Sequence, residues 1–442
     1  MITPFQSMKR TQQLFRRPVR ERTKAMKSTV LVLTMALAMG TAAAADPLAQ
    51  KLKEAGSKDA VELIRAGNLL LEARRTEEAK RAFKDAAMRM TDKSEAALGL
   101  ALIRMYTSDL HQAKVACRNL KEEYPSSDIS SLCYGQVWLT FGRSARAIED
   151  FEAIVKKGGD VRARTGLART YALMNETDRA IETFRDAIDA GAGYEARLGL
   201  GLALEQKGRR DEALAALKAT LEEQPLSSLA RYHYGRLLGA GKEARSHIEQ
   251  ALALRPDWAD GLGTLGDLLL AEGNAADALV AFRKASTLEP ERGAFRLGLG
   301  RALYQQKNYA EARTELDKAL SLVPSYVDAT LMLADVELAA GDEFKAADLA
   351  ERAVALSPDS ADVCIGAAQL FHRMKRYTKA NAYYQKAAAL LPGSSTPLVF
   401  LGDIACERQL FKEGADYYAA ALKGDLKEFR RSDIEARAKK CR

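Results

Sequence analysis

An all-α solenoid of about eleven helix-turn-helix repeats is the fold this sequence predicts, on three observations. Prolines recur in register: Pro225, Pro256, Pro290, Pro324, Pro358 and Pro392 step by 31, 34, 34, 34 and 34 residues, and Pro125 lies 100 residues before Pro225. Proline lacks an N–H and cannot continue a helix, so each one marks a recurring break. Between the breaks, small and large apolar residues return at spacings of three and four, which is one face of a helix. No stretch alternates apolar and polar residues as a half-buried strand does.

The first segment, 1–45, reads as a leader. Eight of the 67 basic residues and one of the 59 acidic residues fall there, so the rest of the chain carries about +1 of the total +8. The basic balance therefore belongs to the leader, and the body gives no general reason to bind nucleic acid. From Met26 the chain runs through one lysine and an apolar stretch, Val30 to Met39, into Ala43-Ala44-Ala45 before Asp46. About ten apolar residues are too few to span a bilayer, which needs about 20. A basic arm, a short apolar run and a small-residue cleavage site are the grammar of a secretory signal peptide. The expectation is a bacterial, exported, periplasmic protein cleaved near Ala45, with Met26 as its natural start. Arg16-Arg17 is not read as a twin-arginine signal, because Pro18 follows and the hydrophobic residues expected after the pair are missing. Residues 46–59 form a polar entry segment.

The repeats follow. In 259–290 Leu262, Leu265-Gly266 and Leu269 share one helical face, Gly273-Asn274 makes a turn, and Ala278, Phe282 and Ala285 line a second helix ending before Pro290. This grammar resembles the tetratricopeptide repeat family, with its Leu-Gly pair, its Ala-x-x-x-Phe pair and its closing proline. The first-helix pair returns as Leu100-Ala101, Tyr134-Gly135, Leu200-Gly201, Leu299-Gly300 and Leu401-Gly402, and the second-helix pair as Ala79/Phe83, Ala147/Phe151, Ala180/Phe184 and Ala380/Tyr384. The frame places repeats 1–5 in 60–227, a shortened repeat 6 in 228–258 and repeats 7–11 in 259–428. Repeat 6 lacks three residues between Gly235 and Ala244 and holds Gly239 and Gly241, so an irregularity is expected there. Residues 429–442 read as a polar capping tail.

The resemblance implies a right-handed solenoid whose first helices line a concave groove that binds proteins. In that register the groove receives Arg162, Arg169, Tyr232, Arg236, Arg301 and Tyr304, with Asp267 and Asp335 toward the C-terminus. The expectation is a groove turning from basic to acidic, holding an extended segment of opposite pattern. The lysine-asparagine carboxylate clamp of chaperone-binding members is not found at matching positions.

Catalysis and cofactors find no motif. His111, His233, His247 and His372 are scattered among four repeats, no metal-ligand cluster is legible, and no Gly-rich phosphate loop follows a strand. Five cysteines leave an odd count. Cys117 and Cys133 fall on helices expected to be neighbours, so a disulfide and two buried small hydrophobic side chains are both open readings, and Cys441 reads as a free thiol. The reading reached is a non-enzymatic scaffold of the bacterial cell envelope without a cofactor, a nucleic-acid partner or a membrane span in the mature chain. Its partners would be envelope proteins or extended peptide segments. The alternative is an accessory subunit of an envelope enzyme acting on polysaccharide or peptidoglycan.

Overall fold

The computed structural model describes residues 46–57, 59–107, 110–426 and 429–441. The expected leader, with its cleavage site, lies outside the described residues. Those described fall into two units, one running to Ala196 with Gln224–Leu226, the other Arg197–Glu223 with Ser227–Arg442.

In the first unit α1 (Pro47–Ser57) precedes four hairpins. These are α2 (Ala60–Glu72) with α3 (Thr76–Arg89), α4 (Ser94–Thr107) with α5 (Leu110–Glu123), α6 (Ile129–Thr140) with α7 (Ser144–Lys156), and α8 (Arg162–Leu173) with α9 (Thr177–Asp189). Helix α10 (Tyr194–Gln206) carries the border between the units and is followed by α11 (Arg210–Glu223).

The second unit continues with six hairpins. They are α12 (Ser228–Leu238) and α13 (Lys242–Leu254), α14 (Ala259–Ala271) and α15 (Ala275–Leu288), α16 (Gly293–Gln305) and α17 (Tyr309–Leu322), α18 (Val327–Ala340) and α19 (Glu343–Leu356), α20 (Ala361–Arg373) and α21 (Tyr377–Leu390), and α22 (Thr396–Glu407) and α23 (Phe411–Ala421). Helix α24 (Arg431–Lys440) follows. Among the described residues the only β feature is an isolated bridge between Ser394 and Asp425.

Local chemistry explains the breaks. After a proline the chain re-enters a helix through a capping side chain: Ser227 Oγ accepts from Ala230 N at 3.2 Å, and Ser360 Oγ from Val363 N at 3.4 Å. Each cap satisfies one of the backbone donors that a helix start leaves unpaired. Within hairpins the turn passes through one left-handed residue, as at Gly142, Gly208, Gly273 and Gly341, and also at Arg74, Asn175, Lys307, Lys375 and Gln409. Hairpin α12–α13 differs in its turn, where both Gly239 and Gly241 take positive φ.

Packing follows from a large residue set between small ones. Phe282 on α15 is 2% exposed and sits between Gly266 on α14 and Gly298 on α16. A Cβ on Gly266 would stand 2.6 Å from the ring, and one on Gly298 closer still. Phe83 lies likewise between Gly67 and Gly99, and Phe151 between Gly135 and Gly166. One second-helix aromatic thus joins its own first helix to the next, and burying each ring is worth about 1.5–3 kcal/mol.

Candidate binding face

First helices of consecutive hairpins touch: α2–α4, α4–α6 and α6–α8 in the first unit, and α14–α16, α16–α18 and α18–α20 in the second. The second helices of those hairpins do not approach one another as closely. Hairpins that crowd on one side curve toward it, so within each unit the first helices form the inner face.

On the first unit's face the Arg162 guanidinium is held by Glu95, at 2.6 and 2.7 Å, and by Asp160 at 2.9 Å. Arg169, two turns further along α8, is exposed, and no ion pair reaches it among the described residues. In the second unit nearly every predicted groove charge is tied to its neighbour. Arg236 pairs with Glu205, Arg301 Nη1 donates to Asp267 Oδ1 at 2.8 Å, and Arg373 pairs with Asp335. Arg437 pairs with Asp403, which also accepts from Tyr418 Oη at 2.7 Å. The sequence reading took these groups as free charges grading from basic to acidic. The structure corrects it, because stacking places each arginine beside an acid of an adjacent repeat and the two cancel.

Burial shapes these pairs. It pushes the Asp267 and Asp335 carboxyls above the usual aspartate range, against the pull of Arg301 and Arg373. Burial would push Glu205 up as well, but hydrogen bonds and charge from His233 and Arg236 carry it below the usual glutamate range. Tyr232 is not presented to solvent as expected: it is 9% exposed, its ring lies 4.4 Å from that of Trp258, and its hydroxyl lies 3.3 Å from Thr264 Oγ1. Tyr304 is half-buried, 5.7 Å from the Tyr309 ring.

Where α18, α20 and α22 meet α24, the face deepens into a cavity of about 670 Å³. Its lining includes Leu331, Gly366, Gln369, Phe400 and Lys440, with Tyr384 beneath. Helix α24 forms one wall. It is packed through Ile434, which is fully buried, and joined at Cys441 to Cys406 of α22 by a disulfide. Cys441 is therefore not the free thiol the sequence suggested. A second disulfide joins Cys117 on α5 to Cys133 on α6, where two separate buried side chains had been the competing reading. Cys364 is buried and free.

Nothing in the composition signals the cavity. Its one legible trace is Gly366, on a helical face where neighbouring repeats carry Met332 and Phe400. Among the described residues no group of three or more His, Cys, Asp or Glu is placed to hold a metal, and no helix is long and apolar enough to cross a membrane.

Sequence models of the tetratricopeptide repeat match residues 135–195, 198–260, 269–325, 308–361 and 331–395, which together exceed half of the chain. The chain belongs to the tetratricopeptide repeat family. Relatives of this tetratricopeptide repeat protein include an Arabidopsis thaliana TPR repeat-containing thioredoxin, TTL4, 30% identical over 34% of this chain and 21% of its own length. A human protein O-mannosyl-transferase, TMTC1, is 30% identical over 38% of this chain and 23% of its own. The chain therefore spans less than a quarter of the length of these two relatives. Among solved structures, yeast Tom70 is similar at a TM-score of 0.47 and 16% identity, over 86% of this chain and 95% of its own. A tetratricopeptide repeat protein from Parabacteroides merdae is similar at a TM-score of 0.48 and 20% identity, over 57% and 99%. Membership rests on the repeat models and on the helical hairpins. A tetratricopeptide repeat array of this kind is a scaffold for protein–protein interaction.

Proposed function

We propose that this chain is an exported, non-catalytic scaffold of the bacterial cell envelope that holds extended partner segments on the inner faces of its first helices. The observation that carries the reading is the contrast between internally neutralised charges and the groups left open. Arg169 stays exposed and unpaired, and a cavity opens on the inner face beside α24. Stacking the hairpins does not require either feature. Two further observations support the export component. The apolar run Val30–Met39 precedes small residues at 43–45, and four of the five cysteines are joined in pairs. Disulfides persist in oxidising compartments and are rare in the cytosol.

The test is a crosslinking pull-down from native envelopes, comparing the parent with Arg169→Glu. Reversing an exposed, unpaired charge leaves folding intact, so partner recovery should fall at least fivefold with an unchanged melting curve. Equal recovery removes Arg169 from the binding face. Amino-terminal sequencing of the mature protein from its native host checks export, and an uncleaved chain in the cytosol refutes it.

A second reading has support in the relatives, one named a transferase and the other a thioredoxin. In it the repeats serve as an accessory subunit of an envelope enzyme. Co-purification of a polysaccharide- or peptidoglycan-processing activity with the pulled-down complex would favour that reading over the simple scaffold.

A further inference from the structure

We infer that the cavity between α18, α20, α22 and α24 is an anchor site for one large apolar side chain, aromatic or Leu/Met-like, of an extended partner peptide. The inference rests on the binding-face reading above and narrows it to a place and a chemistry.

Gly366 opens the site. A Cβ there would meet only Leu331, at 3.2 and 3.8 Å, whereas the glycines around Phe282 are demanded by the ring. Gly366 has ordinary helical φ, so backbone geometry does not call for glycine, and a Cβ would ask only the flexible end of Leu331 to give by a few tenths of an ångström. Its missing side chain leaves open one wall of the cavity on the inner face, whose volume of about 670 Å³ is within the range that holds ligand-sized groups.

The chemistry of the walls selects the occupant. Leu331 and Phe400 offer apolar surface. Asp335 is matched by Arg373, Asp403 by Arg437, and Glu407 lies 3.0 Å from His372. With Lys440 counted against Glu407, the lining carries no net charge, which argues against a phosphorylated or strongly ionic ligand. Three polar groups remain open. The Tyr384 hydroxyl is fully buried at the cavity and has no hydrogen-bond partner. Gln369 and Lys440 are exposed, without partners among the described residues. A phenol O–H and a carboxamide match the C=O and N–H of a peptide backbone, and a buried donor without an acceptor is costly to leave so. An extended peptide that inserts an apolar side chain satisfies both the surface and the open donors.

The experiment selects a random dodecapeptide library displayed on phage against the full chain under non-reducing conditions. Recovered peptides should carry Phe, Tyr, Leu or Met at one fixed place, enriched at least tenfold over the input. Gly366→Leu should abolish that enrichment without lowering the melting temperature. Gly366→Ala, which adds one carbon, serves as the fold control and should give a partial loss. Enrichment without a fixed apolar residue, or equal binding to Gly366→Leu, overturns the anchor and leaves the broader binding face standing. No enrichment on the parent overturns both. A parent dimer that Gly366→Leu converts to monomer overturns the peptide in favour of a second copy of the chain.

Discussion

Glu337, whose side chain is wholly buried on α18, accepts a two-pronged hydrogen bond from Arg313 of the preceding second helix. Lys345 of the following second helix adds a third contact at 2.5 Å. One carboxylate thus joins two hairpins. Burial alone would raise its proton affinity, yet the hydrogen bonds from Arg313 and Lys345 carry it below the ordinary glutamate value of 4.5. Both cations stay half exposed and can be hydrated when the acid is removed. Glu337→Gln should therefore cost about 1–2 kcal/mol near neutral pH. A group depressed on folding contributes fully above its unfolded value and loses that contribution as pH falls through the folded one. Urea denaturation of parent and variant should converge as pH falls from 4.5 through the lower folded value.

Asp335, two residues earlier on the other side of α18, should behave oppositely. Burial raises its carboxyl above the ordinary 3.8 despite Arg373. A group raised on folding favours the folded state while protonated and loses that advantage as pH rises through the folded value. Asp335→Asn should match the parent below pH 3.8 and gain on it from there upward, levelling off once the folded aspartate is ionised. A parent that outlasts Asp335→Asn at pH 7 in the same urea titration would contradict this.

The glycines should divide sharply. At Gly266 an added methyl meets the Phe282 ring at 2.6 Å, and the crowding should cost about 1–3 kcal/mol. At Gly366 the methyl meets only the flexible end of Leu331, at 3.2 Å; with Leu331 giving by a few tenths of an ångström, Gly366→Ala should gain up to about 0.5–1 kcal/mol from helix propensity. Chemical denaturation of the two variants side by side decides between these signs.

Removing the Cys406–Cys441 bond should loosen α24 while the other hairpins keep their protection. The bond closes a span of 35 residues, and its loss typically costs about 2–4 kcal/mol. Repeat stacks couple mainly to nearest neighbours, so Cys441→Ser should speed amide exchange over 431–440 and leave Phe282 and its surroundings unchanged. Uniformly faster exchange across the second unit would mean that α24 supports far more than its neighbour.

The hairpins were legible because proline breaks and Leu-Gly pairs are local signals that return at a fixed interval. Charge pairing was less so. Asp267 and Arg301 stand 34 residues apart, as do Asp403 and Arg437, and that separation puts each pair at one register on successive first helices. The residues were read helix by helix, and only axial stacking turns a repeat length into a hydrogen-bond distance. Tyr232 escaped for a related reason: its exposure depends on Trp258, which lies outside its own helix. Cys441 escaped because a polar capping tail gives no sign of which helix it packs beside. Its helix caps the stack in the place of a further first helix, which brings Cys441 beside Cys406.

That placement has a consequence for self-association. Helix α24 buries Ile434 against the last hairpin and turns Glu435 and Lys439 outward. A hairpin stack whose final apolar surface lay bare would be adhesive, and molecules could string together end to end through the contacts that build each one. With its charged outer side, α24 does not offer a second copy the apolar surface by which each hairpin of the stack receives the next.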